Sequence, residues 1–450
     1  MKGYVDTLQA QGSLLTVEES LSPQLEISSI LAVLQERPIL FKNVSGSSIR
    51  LAGNLYSTKE LIELGLGVTK GNLLQTLQES MQSPAQSKGR ISSFKSSEWD
   101  FNEPADLSKL PILKHFDREA GRYLTAGIVS ARFPGSEEEN LSFHRMLVLS
   151  KNKVAARIVP RHLNQIAKDS GGKVPISVTI GPPPAVFVAA ALQIQFGASE
   201  YRIANKLTGG SLELTESELT GTCVPLDSEI VLEGILDYNE LTDEGPFVDL
   251  TGTYDEVRKQ PVITFQRMHY REDSIYQAVV ASTREHAMFM GLPQELRIID
   301  VLSKSIPKVR GINLTPAGGG YFHCIASIEK SNDGDGKTAI LDCFAASHPL
   351  KLVIVVDSDV DPFDAGEVEW ALTTRFQADK GLIVINGAKG SSLDPSSGKL
   401  AVTSKLGLDA TLPVKEDRSK YSRASISSSP LAKSILASLK EKSQRKISVS

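Results

Sequence analysis

The sequence has little cysteine, few aromatic residues and no long apolar run. Its 450 residues include only three cysteines, Cys223, Cys324 and Cys343, and 6% aromatic residues. Three scattered cysteines are too few for a disulfide framework or a zinc site, and they favour a reducing, cytoplasmic setting. The N-terminus lacks the apolar core of a signal peptide, and no uncharged apolar stretch is long enough to cross a membrane. We therefore expect a cytoplasmic protein with no membrane span.

An excess of charge of either sign is also missing. The chain has 49 basic and 53 acidic residues, a net charge of −4. Without an overall basic field, nucleic acid is not an expected partner. The sequence contains no Gly-x-Ser-x-Gly and no His-Glu-x-x-His, and its glycine-rich stretches at 316–321 and 387–392 lack P-loop spacing. These absences argue against serine hydrolases, zinc proteases and P-loop enzymes.

What is present is a composition typical of a globular chain, with 41% hydrophobic and 23% charged residues. The length suggests two or three domains. Hydrophobic spacing predicts helices at 25–34 and 58–66 and a strand at 38–41, followed by a polar surface loop over 80–97. β-Runs then dominate, which favours a barrel or sandwich. These runs lie at 128–133, 146–149, 155–159, 174–180 and 229–234, with helices at 163–170 and 185–196.

The last third of the sequence returns to an α/β pattern. A helix predicted over 274–291 leads to a continuous apolar strand at 351–357 and a helix at 368–376. Residues 431–439 form an amphipathic stretch that we expect to dock as a helix. The overall prediction is a mixed α/β multidomain chain.

Three polar segments carry residues suited to binding. Asn140 offers a neutral oxygen ligand and Arg145 a planar fork for a carboxylate or phosphate, although strand alternation sends them to opposite faces unless the chain turns between them. His162 follows a strand at a helix start, and Glu200 follows a helix. Taken alone, each segment equally fits a solvated surface loop.

A fourth segment places Glu244 and Asp249 on either side of a Gly-Pro turn. If the turn brings both acids beside Arg145, one carboxyl stays ionised against the arginine and the other can hold a proton. Without that contact, the segment is a turn with two exposed acids.

In this order, the segments resemble the UbiD family of reversible, non-oxidative decarboxylases. The matching stretches are 123–127, 140–145, 160–162, 181–184, 224–234, 244–247 and 355–363, of which Glu-Gly-Pro-Phe and Asp-Pro-Phe are the most distinctive. The resemblance implies an N-terminal α/β domain at 1–105 and a split β-barrel at 106–295 that binds prenylated FMN. A linker helix and a C-terminal α/β dimerisation domain at 296–450 complete the expected layout.

The resemblance also implies roles for individual residues. Asn140, His162 and Glu200 match metal-ligand positions for Mn(II) or Mg(II), and potassium is a further candidate ion. Arg145 and Glu244 match an Arg–Glu pair. Asp249 takes the place of a second glutamate that exchanges a proton with the reacting carbon, and we expect it to be left free to cycle protons while Glu244 pairs with Arg145. The further implied cofactor-binding residues are Ser142, Phe143, His144, Arg145, Arg161 and Lys351.

The shorter side chain of Asp249 suggests a substrate unlike the aromatic acids of typical members. Similarity to the shorter, archaeal-type homologues implies decarboxylation of trans-anhydromevalonate 5-phosphate to isopentenyl phosphate in a modified mevalonate pathway. A UbiD-type decarboxylase of an aromatic acid, such as a 4-hydroxybenzoate derivative, is the alternative, and a flavin-binding protein without this activity is a third reading. Implied partners are a small carboxylic acid, a UbiX-type flavin prenyltransferase that supplies the cofactor, and further copies of the chain. Arg132, Arg161 and Lys389 are candidates for holding a substrate phosphate.

Overall fold

A computed structural model of the chain describes residues 1–93, 99–424, 426–427 and 429–447, except the side chains of Lys399 and residues 440–447. The N-terminal elements are α1 (Lys2–Ala10), β1 (Leu15–Leu21), α2 (Glu26–Val33), β2 (Ile39–Val44), β3 (Arg50–Gly53), α3 (Lys59–Leu66) and α4 (Leu73–Gln82). The helices predicted at 25–34 and 58–66 and the strand at 38–41 are confirmed. Thr58 caps α3 by accepting a hydrogen bond from the Leu61 amide.

The middle of the chain is rich in strands. Its elements are β4 (Arg90–Ser93), β5 (Phe101–Pro104), β6 (Tyr123–Leu124), β7 (Ile128–Arg132), β8 (Glu139–Phe143), β9 (Met146–Val148), β10 (Lys153–Ala156), α5 (His162–Asp169), β11 (Lys173–Ile180), α6 (Pro184–Ala191), α7 (Glu200–Leu207), β12 (Glu213–Glu216), β13 (Cys223–Pro225), β14 (Ile230–Glu244), β15 (Phe247–Val248), β16 (Tyr254–Asp255), β17 (Arg258–Tyr270) and β18 (Ile275–Ala278). Each predicted β-run contributes a strand to one antiparallel sheet, ordered β6-β9-β10-β17-β14-β11-β7-β8 with β5 beside β17.

This large sheet is curled into a half-barrel. β8 ends the strand order and β9 is second from the opposite end, yet only His144 and Arg145 connect the two strands. In a flat sheet, six strand spacings would separate them by about 29 Å. Three residue steps reach about 11 Å at most. The two sides of the sheet therefore approach each other, and Arg145 lies at this seam.

Two sequence predictions in this region are wrong in part. The loop expected over 80–97 begins inside α4, and residues 90–93 form β4, which pairs in parallel with β12; residues 94–97 lie outside the described part of the chain. The helix expected over 274–291 starts only at Arg284. Residues 275–278 instead form β18, which is fully buried and pairs in parallel with β3 of the N-terminal sheet. Burial on both faces removes the alternation that would mark a strand.

The C-terminal elements are α8 (Arg284–Ser305), β19 (Lys308–Leu314), β20 (His323–Glu329), α9 (Asp335–Ala346), β21 (Leu352–Asp357), α10 (Ala365–Thr374), α11 (Ala378–Gly381), β22 (Leu382–Lys389), β23 (Val402–Ala410) and α12 (Pro430–Ile447). The sheet order is β19-β20-β21-β23-β22, with β20, β21 and β23 parallel. The predicted strand at 351–357 and helix at 368–376 are confirmed. The chain is thus a mixed α/β multidomain fold, as predicted.

The tail helix forms but does not dock as expected. Its apolar side chains Leu431, Ile435, Leu436 and Leu439 are each at least half exposed. Cys223, Cys324 and Cys343 are buried free thiols. Within the described residues, no helix combines the length and the apolarity needed to span a membrane.

Candidate active site

The side chain of Arg145 organises a buried group of acids at the seam of the curled sheet. Its Nε and Nη2 atoms donate to the two carboxylate oxygens of Glu244 at 2.9 and 3.0 Å, a bidentate pair. Its Nη1 atom donates to Asp249 Oδ2 at 2.6 Å. The Glu244 side chain is fully buried and that of Asp249 is 16% exposed. The predicted contact between Arg145 and Glu244 is present, and Asp249 contacts the same guanidinium.

The local backbone brings these acids together. Glu244 is the last residue of β14, and Gly245 follows with a φ of +104°, which a side chain would strain. The chain then turns so that the Phe247 ring packs 4.7 Å from the guanidinium carbon of Arg145. A buried aromatic face against a cation adds to the electrostatic attraction that holds the arginine in place.

The structure adds a third acid that sequence reasoning missed. Asp255 Oδ2 accepts from Arg145 Nη2 at 2.9 Å, and its Oδ1 accepts from Arg258 Nη1 at 2.5 Å. Pairing of Phe247 with Asp255 between β15 and β16 carries this acid to the site. Only this strand register selects it, and no spacing in the sequence marks Asp255 apart from other acids.

Charged groups of both signs meet at the seam. Arg145 and Arg258 contact the three carboxyls of Glu244, Asp249 and Asp255, and the charge of a third guanidinium, Arg157, also interacts with Glu244 and Asp255. Although burial alone would raise it, the pKa of Asp255 is lowered because Arg258 and Arg145 hydrogen-bond to its ionised form. Of the three carboxyls, Asp249 has the least arginine contact and the most solvent access.

Two neighbouring groups that the sequence analysis did not single out as site residues, His286 and Tyr123, complete this end of the site. Burial lowers the pKa of His286, against the opposing effect of the nearby Asp249 charge, and its Nδ1 accepts from the Ser282 amide at 3.1 Å. Burial and the Glu244 carboxylate raise the pKa of Tyr123, which keeps its hydroxyl protonated. A neutral imidazole and a neutral phenol therefore line the acids.

A second group of predicted residues is linked by hydrogen bonds along β8. Asn140 Nδ2 donates to Ser142 Oγ at 3.0 Å, and Ser142 Oγ lies 2.9 Å from His144 Nε2. His144 Nδ1 lies 3.0 Å from the Arg157 carbonyl oxygen. Burial lowers the pKa of His144 to about 4, so the ring is neutral. Its Nδ1–H then donates to the carbonyl and its Nε2 accepts from Ser142, which fixes the tautomer.

The three predicted metal ligands lie together. His162 Nδ1 is 3.2 Å from Asn140 Oδ1, and Glu200 Oε2 accepts from the amide of the adjacent Leu141 at 2.8 Å. Glu200 is 2% exposed, and burial raises its pKa to about 8. Among the described residues Glu200 forms no salt bridge.

These observations fit a hard divalent cation. Adjacent ligands of an octahedral ion at about 2.1 Å are about 3 Å apart, which is close to the His162–Asn140 separation. Within the described chain, no cluster of three His, Cys, Asp or Glu residues suits a metal, and the candidate set here includes an asparagine oxygen. Oxygen and nitrogen ligands without a thiolate favour Mn(II) or Mg(II) over zinc.

The remaining predicted residues are divided between this site and the C-terminal sheet. Phe143 packs against the Phe187 ring, with centroids 4.8 Å apart. Arg161 precedes α5 and its charge acts on both His144 and His162, so it lies beside the second group. Lys351 is bound instead to Asp394 at 2.9 Å, and within the described part of the chain no hydrogen bond joins it to the other predicted cofactor residues.

Comparison with known proteins identifies the class to which this fold and site belong. Residues 5–81, 90–284 and 287–410 match, in order, the N-terminal domain, the Rift-related domain and the C-terminal domain of 3-octaprenyl-4-hydroxybenzoate carboxy-lyase. The chain belongs to the UbiD family of decarboxylases. The predicted resemblance is therefore confirmed.

Particular relatives cover nearly the whole chain. The anhydromevalonate phosphate decarboxylase of Methanothermobacter thermautotrophicus is 39% identical over 94% of this chain and 99% of its own length. The enzyme of the same name from Archaeoglobus fulgidus is 40% identical over 85% of this chain and 86% of its own length. Among solved structures, the UbiD-class enzyme HmfF from Pelotomaculum thermopropionicum, in complex with FMN, is 30% identical with a TM-score of 0.90 over 94% of this chain and 97% of its own. An evolved dimeric form of HmfF in complex with prenylated FMN has a TM-score of 0.86 and 29% identity over 94% of this chain and 96% of its own.

Proposed function

We propose that this protein is a prenylated-FMN-dependent decarboxylase that converts trans-anhydromevalonate 5-phosphate into isopentenyl phosphate and carbon dioxide. The observation that carries the proposal is the buried Arg145, bonded at once to Glu244 and to Asp249. Two archaeal relatives named anhydromevalonate phosphate decarboxylase support this substrate, because this chain is similar to each of them over most of its length.

The residues divide the work of the reaction. Loss of carbon dioxide from the carboxylate leaves a carbon that must take up one proton. Asp249 delivers that proton to the vacated carbon and regains one from solvent. Arg145 orients Asp249, and the bidentate contact with Glu244 holds Arg145 in place. When bound, prenylated FMN supplies the electron sink for breaking the carbon–carbon bond.

The second group would hold the cofactor. Asn140, His162 and Glu200 would hold Mn(II) or Mg(II), whose positive charge would neutralise the cofactor phosphate. Ser142 and His144 present a fixed, neutral hydrogen-bonding edge beside it. Phe143, Arg161 and Lys351 and a bound potassium ion remain proposed contacts, and the domain boundaries at 105/106 and 295/296 remain predictions.

We also propose a cytoplasmic homodimer or larger homo-oligomer that receives its cofactor from a UbiX-type flavin prenyltransferase. An exposed apolar face on β22 and β23 supports self-association. It is formed by Leu382, Val384, Val402 and Leu406.

The test is an assay of protein produced with and without a flavin prenyltransferase. We expect carbon dioxide and isopentenyl phosphate only from the prenylated holoenzyme, with no release from 4-hydroxybenzoate. Turnover by cofactor-free protein would overturn the cofactor assignment. Release from the aromatic acid but not from the phosphorylated acid would overturn the substrate.

A further inference from the structure

The turn that carries Asp249 holds its carboxylate from two sides. Asp249 Oδ2 accepts from Arg145 Nη1 at 2.6 Å, and Asp249 Oδ1 accepts from the backbone amide of Leu250 at 2.7 Å. The Gly252 amide closes the turn by donating to the Asp249 carbonyl oxygen at 2.8 Å. Each carboxylate oxygen of the proposed proton donor therefore receives a hydrogen bond, and one of the two comes from Leu250.

The side chain of Leu250 is buried against the C-terminal part of the chain. It is 3% exposed and packs with Tyr321 and Phe322, whose rings meet edge to face with centroids 5.4 Å apart. These two aromatic residues directly precede β20. Burial of the leucine side chain therefore ties the turn after β15 to the C-terminal sheet.

The glycine-rich stretch at 316–321 provides the backbone against which Leu250 packs. A Cβ atom at Gly319 would lie 2.8 Å from Leu250 Cγ, a separation well below that of a normal contact. Gly319 also has a φ of +67°, where a side chain strains the backbone. The missing side chain lets the leucine approach the loop. Gly319, Tyr321 and Phe322 are called here the leucine pocket.

The amides of this stretch are used within the stretch itself. The Gly319 amide donates to the Pro316 carbonyl oxygen at 2.9 Å. The Gly320 amide donates to the Thr315 carbonyl oxygen, also at 2.9 Å. A phosphate-binding loop instead points successive amides at its ligand. Close packing against Leu250 thus accounts for a glycine at position 319, and phosphate binding does not.

Other support for the turn is limited. Leu250 is the only apolar residue in 249–252, so the apolar contacts of the turn depend on it. A cleft of about 220 Å³ borders the turn, and its lining includes Thr251, Ser282 and Arg284. Without the leucine side chain, the turn would rely on backbone hydrogen bonds beside this cleft, and such segments open locally.

We propose that Leu250 is a positioning residue for the reaction, and that its packing in the leucine pocket fixes the turn that aims the Asp249 carboxylate. The role rests on the proposed function, in which Asp249 delivers the proton. A misplacement of about 1 Å can lower turnover by about 100-fold, because proton transfer requires a short distance between donor and acceptor. Leu250 itself acts only through Asp249.

The first test compares Leu250→Ala with Leu250→Met in the prenylated holoenzyme. Truncation to alanine should lower kcat for carbon dioxide release about 10- to 100-fold, with KM and flavin occupancy within about twofold of wild type. Methionine keeps the volume, so it should restore most of kcat. Leu302→Ala truncates a buried leucine of a separate core cluster and should keep wild-type kcat. Wild-type kcat in Leu250→Ala, or an equal loss in Leu302→Ala, would overturn the proposal.

The second test fills the leucine pocket. Gly319→Ala places a methyl group against Leu250. The matched control is Gly67→Ala, because Gly67 also directly follows a helical segment, at a φ of +66°, but a Cβ atom there meets nothing within 4 Å. Both substitutions strain the backbone alike, so only Gly319→Ala should lower kcat, by about 10-fold or more. Equal effects of the two would assign the loss to backbone strain and contradict the proposal.

Double variants show whether the effect passes through Asp249. In Asp249→Asn protein, Leu250→Ala should cause no further loss of turnover, because the donor that it positions is already inactive. In Leu250→Ala protein, Gly319→Ala should lower kcat no further, because the methyl group then has space. Additive losses in both double variants would indicate a general structural role and would overturn the proposal.

Hydrogen exchange separates this inference from the proposed function, because it needs no turnover. In the holoenzyme, the amides of 247–254 should exchange about 10-fold faster or more in Leu250→Ala and Gly319→Ala, and at the wild-type rate in Gly67→Ala. Unchanged exchange in the first two variants overturns the positioning role even if the acid is decarboxylated. If the wild type decarboxylates neither acid, the proposed function falls, and faster exchange still supports anchoring of the turn by Leu250.

Discussion

Arg145 Nη1 and Asp249 Oδ2 lie 2.6 Å apart, across 104 residues of sequence. This short, charge-assisted contact means that the proposed proton donor is oriented by the same guanidinium that binds Glu244 on its other side. Because the arginine fixes the carboxylate, the shorter side chain of aspartate is sufficient, and the longer and more mobile side chain of a glutamate is not needed. Its position is set by the arginine, and its partial exposure leaves a route for proton exchange with solvent.

Replacing Asp249 by asparagine tests proton transfer directly. Asparagine keeps the size and the contact to Arg145 but cannot transfer a proton, so turnover should fall by about 100-fold or more. Flavin occupancy should be unchanged. Incorporation of solvent deuterium at the former carboxyl-bearing carbon should stop as well. Wild-type turnover in Asp249→Asn, together with an inactive Glu244→Gln, would show that the roles are reversed.

Asp249→Glu is the companion variant. This substitution introduces the glutamate that the family resemblance implies at this position. It adds a methylene to a side chain whose carboxylate already lies 2.6 Å from Arg145 Nη1. We expect partial activity, measured as kcat for carbon dioxide release, because the added length crowds the reacting carbon. Activity above wild type would mean that the shorter side chain has no role in fitting the substrate.

Asp255 should matter for positioning rather than for proton delivery. Asp255→Asn removes a charge that faces both Arg145 and Arg258, and we expect the free energy of unfolding to fall by about 1–3 kcal/mol. Turnover should fall less than in Asp249→Asn, and its pH profile should shift because the seam gains net positive charge. Asp243→Asn, which removes an exposed partner of Lys259, is the matched control. An unchanged pH profile in Asp255→Asn would contradict its positioning role.

Glu200→Gln should lower metal and flavin occupancy together, read by metal analysis and by flavin absorbance of the purified protein. The amide cannot balance the charge of a divalent cation as the carboxylate does. Any protein that keeps its cofactor should retain most of its turnover. Glu213→Gln, an exposed acid beside Arg90, should have no effect. Full metal and flavin occupancy in Glu200→Gln would remove Glu200 from the ligand set.

His144 predicts how stability depends on pH. Burial lowers its pKa from 6.5 to about 4, so between these values the unfolded chain binds more protons than the folded protein. The contribution of His144 to the free energy of unfolding is therefore fully present above pH 6.5. It is lost as the pH falls towards 4, by about 3 kcal/mol in total. Chemical unfolding of His144→Gln across this range should show a smaller slope than wild type. The wild-type slope in the variant would place the proton uptake elsewhere.

Much of the fold was accessible from local pattern. Apolar spacing predicted α2, α3 and β21 because a helix or a buried strand imposes its own period on its residues. The stretch 275–278 shows where this fails. Its side chains are all buried, so neither period is visible, and pairing with β3 more than 200 residues away makes it a strand.

The sequence by itself determined which residue types are available and, through its motifs, the family: Asn140, Arg145, His162 and Glu244 are recognisable in order along the chain. Tertiary structure alone decided their contacts. Curling of the sheet put Arg145 at the seam, and the register of β15 and β16 brought in Asp255. Side-chain contacts across 100 residues depend on how the sheet closes, and no local period in the sequence records that closure.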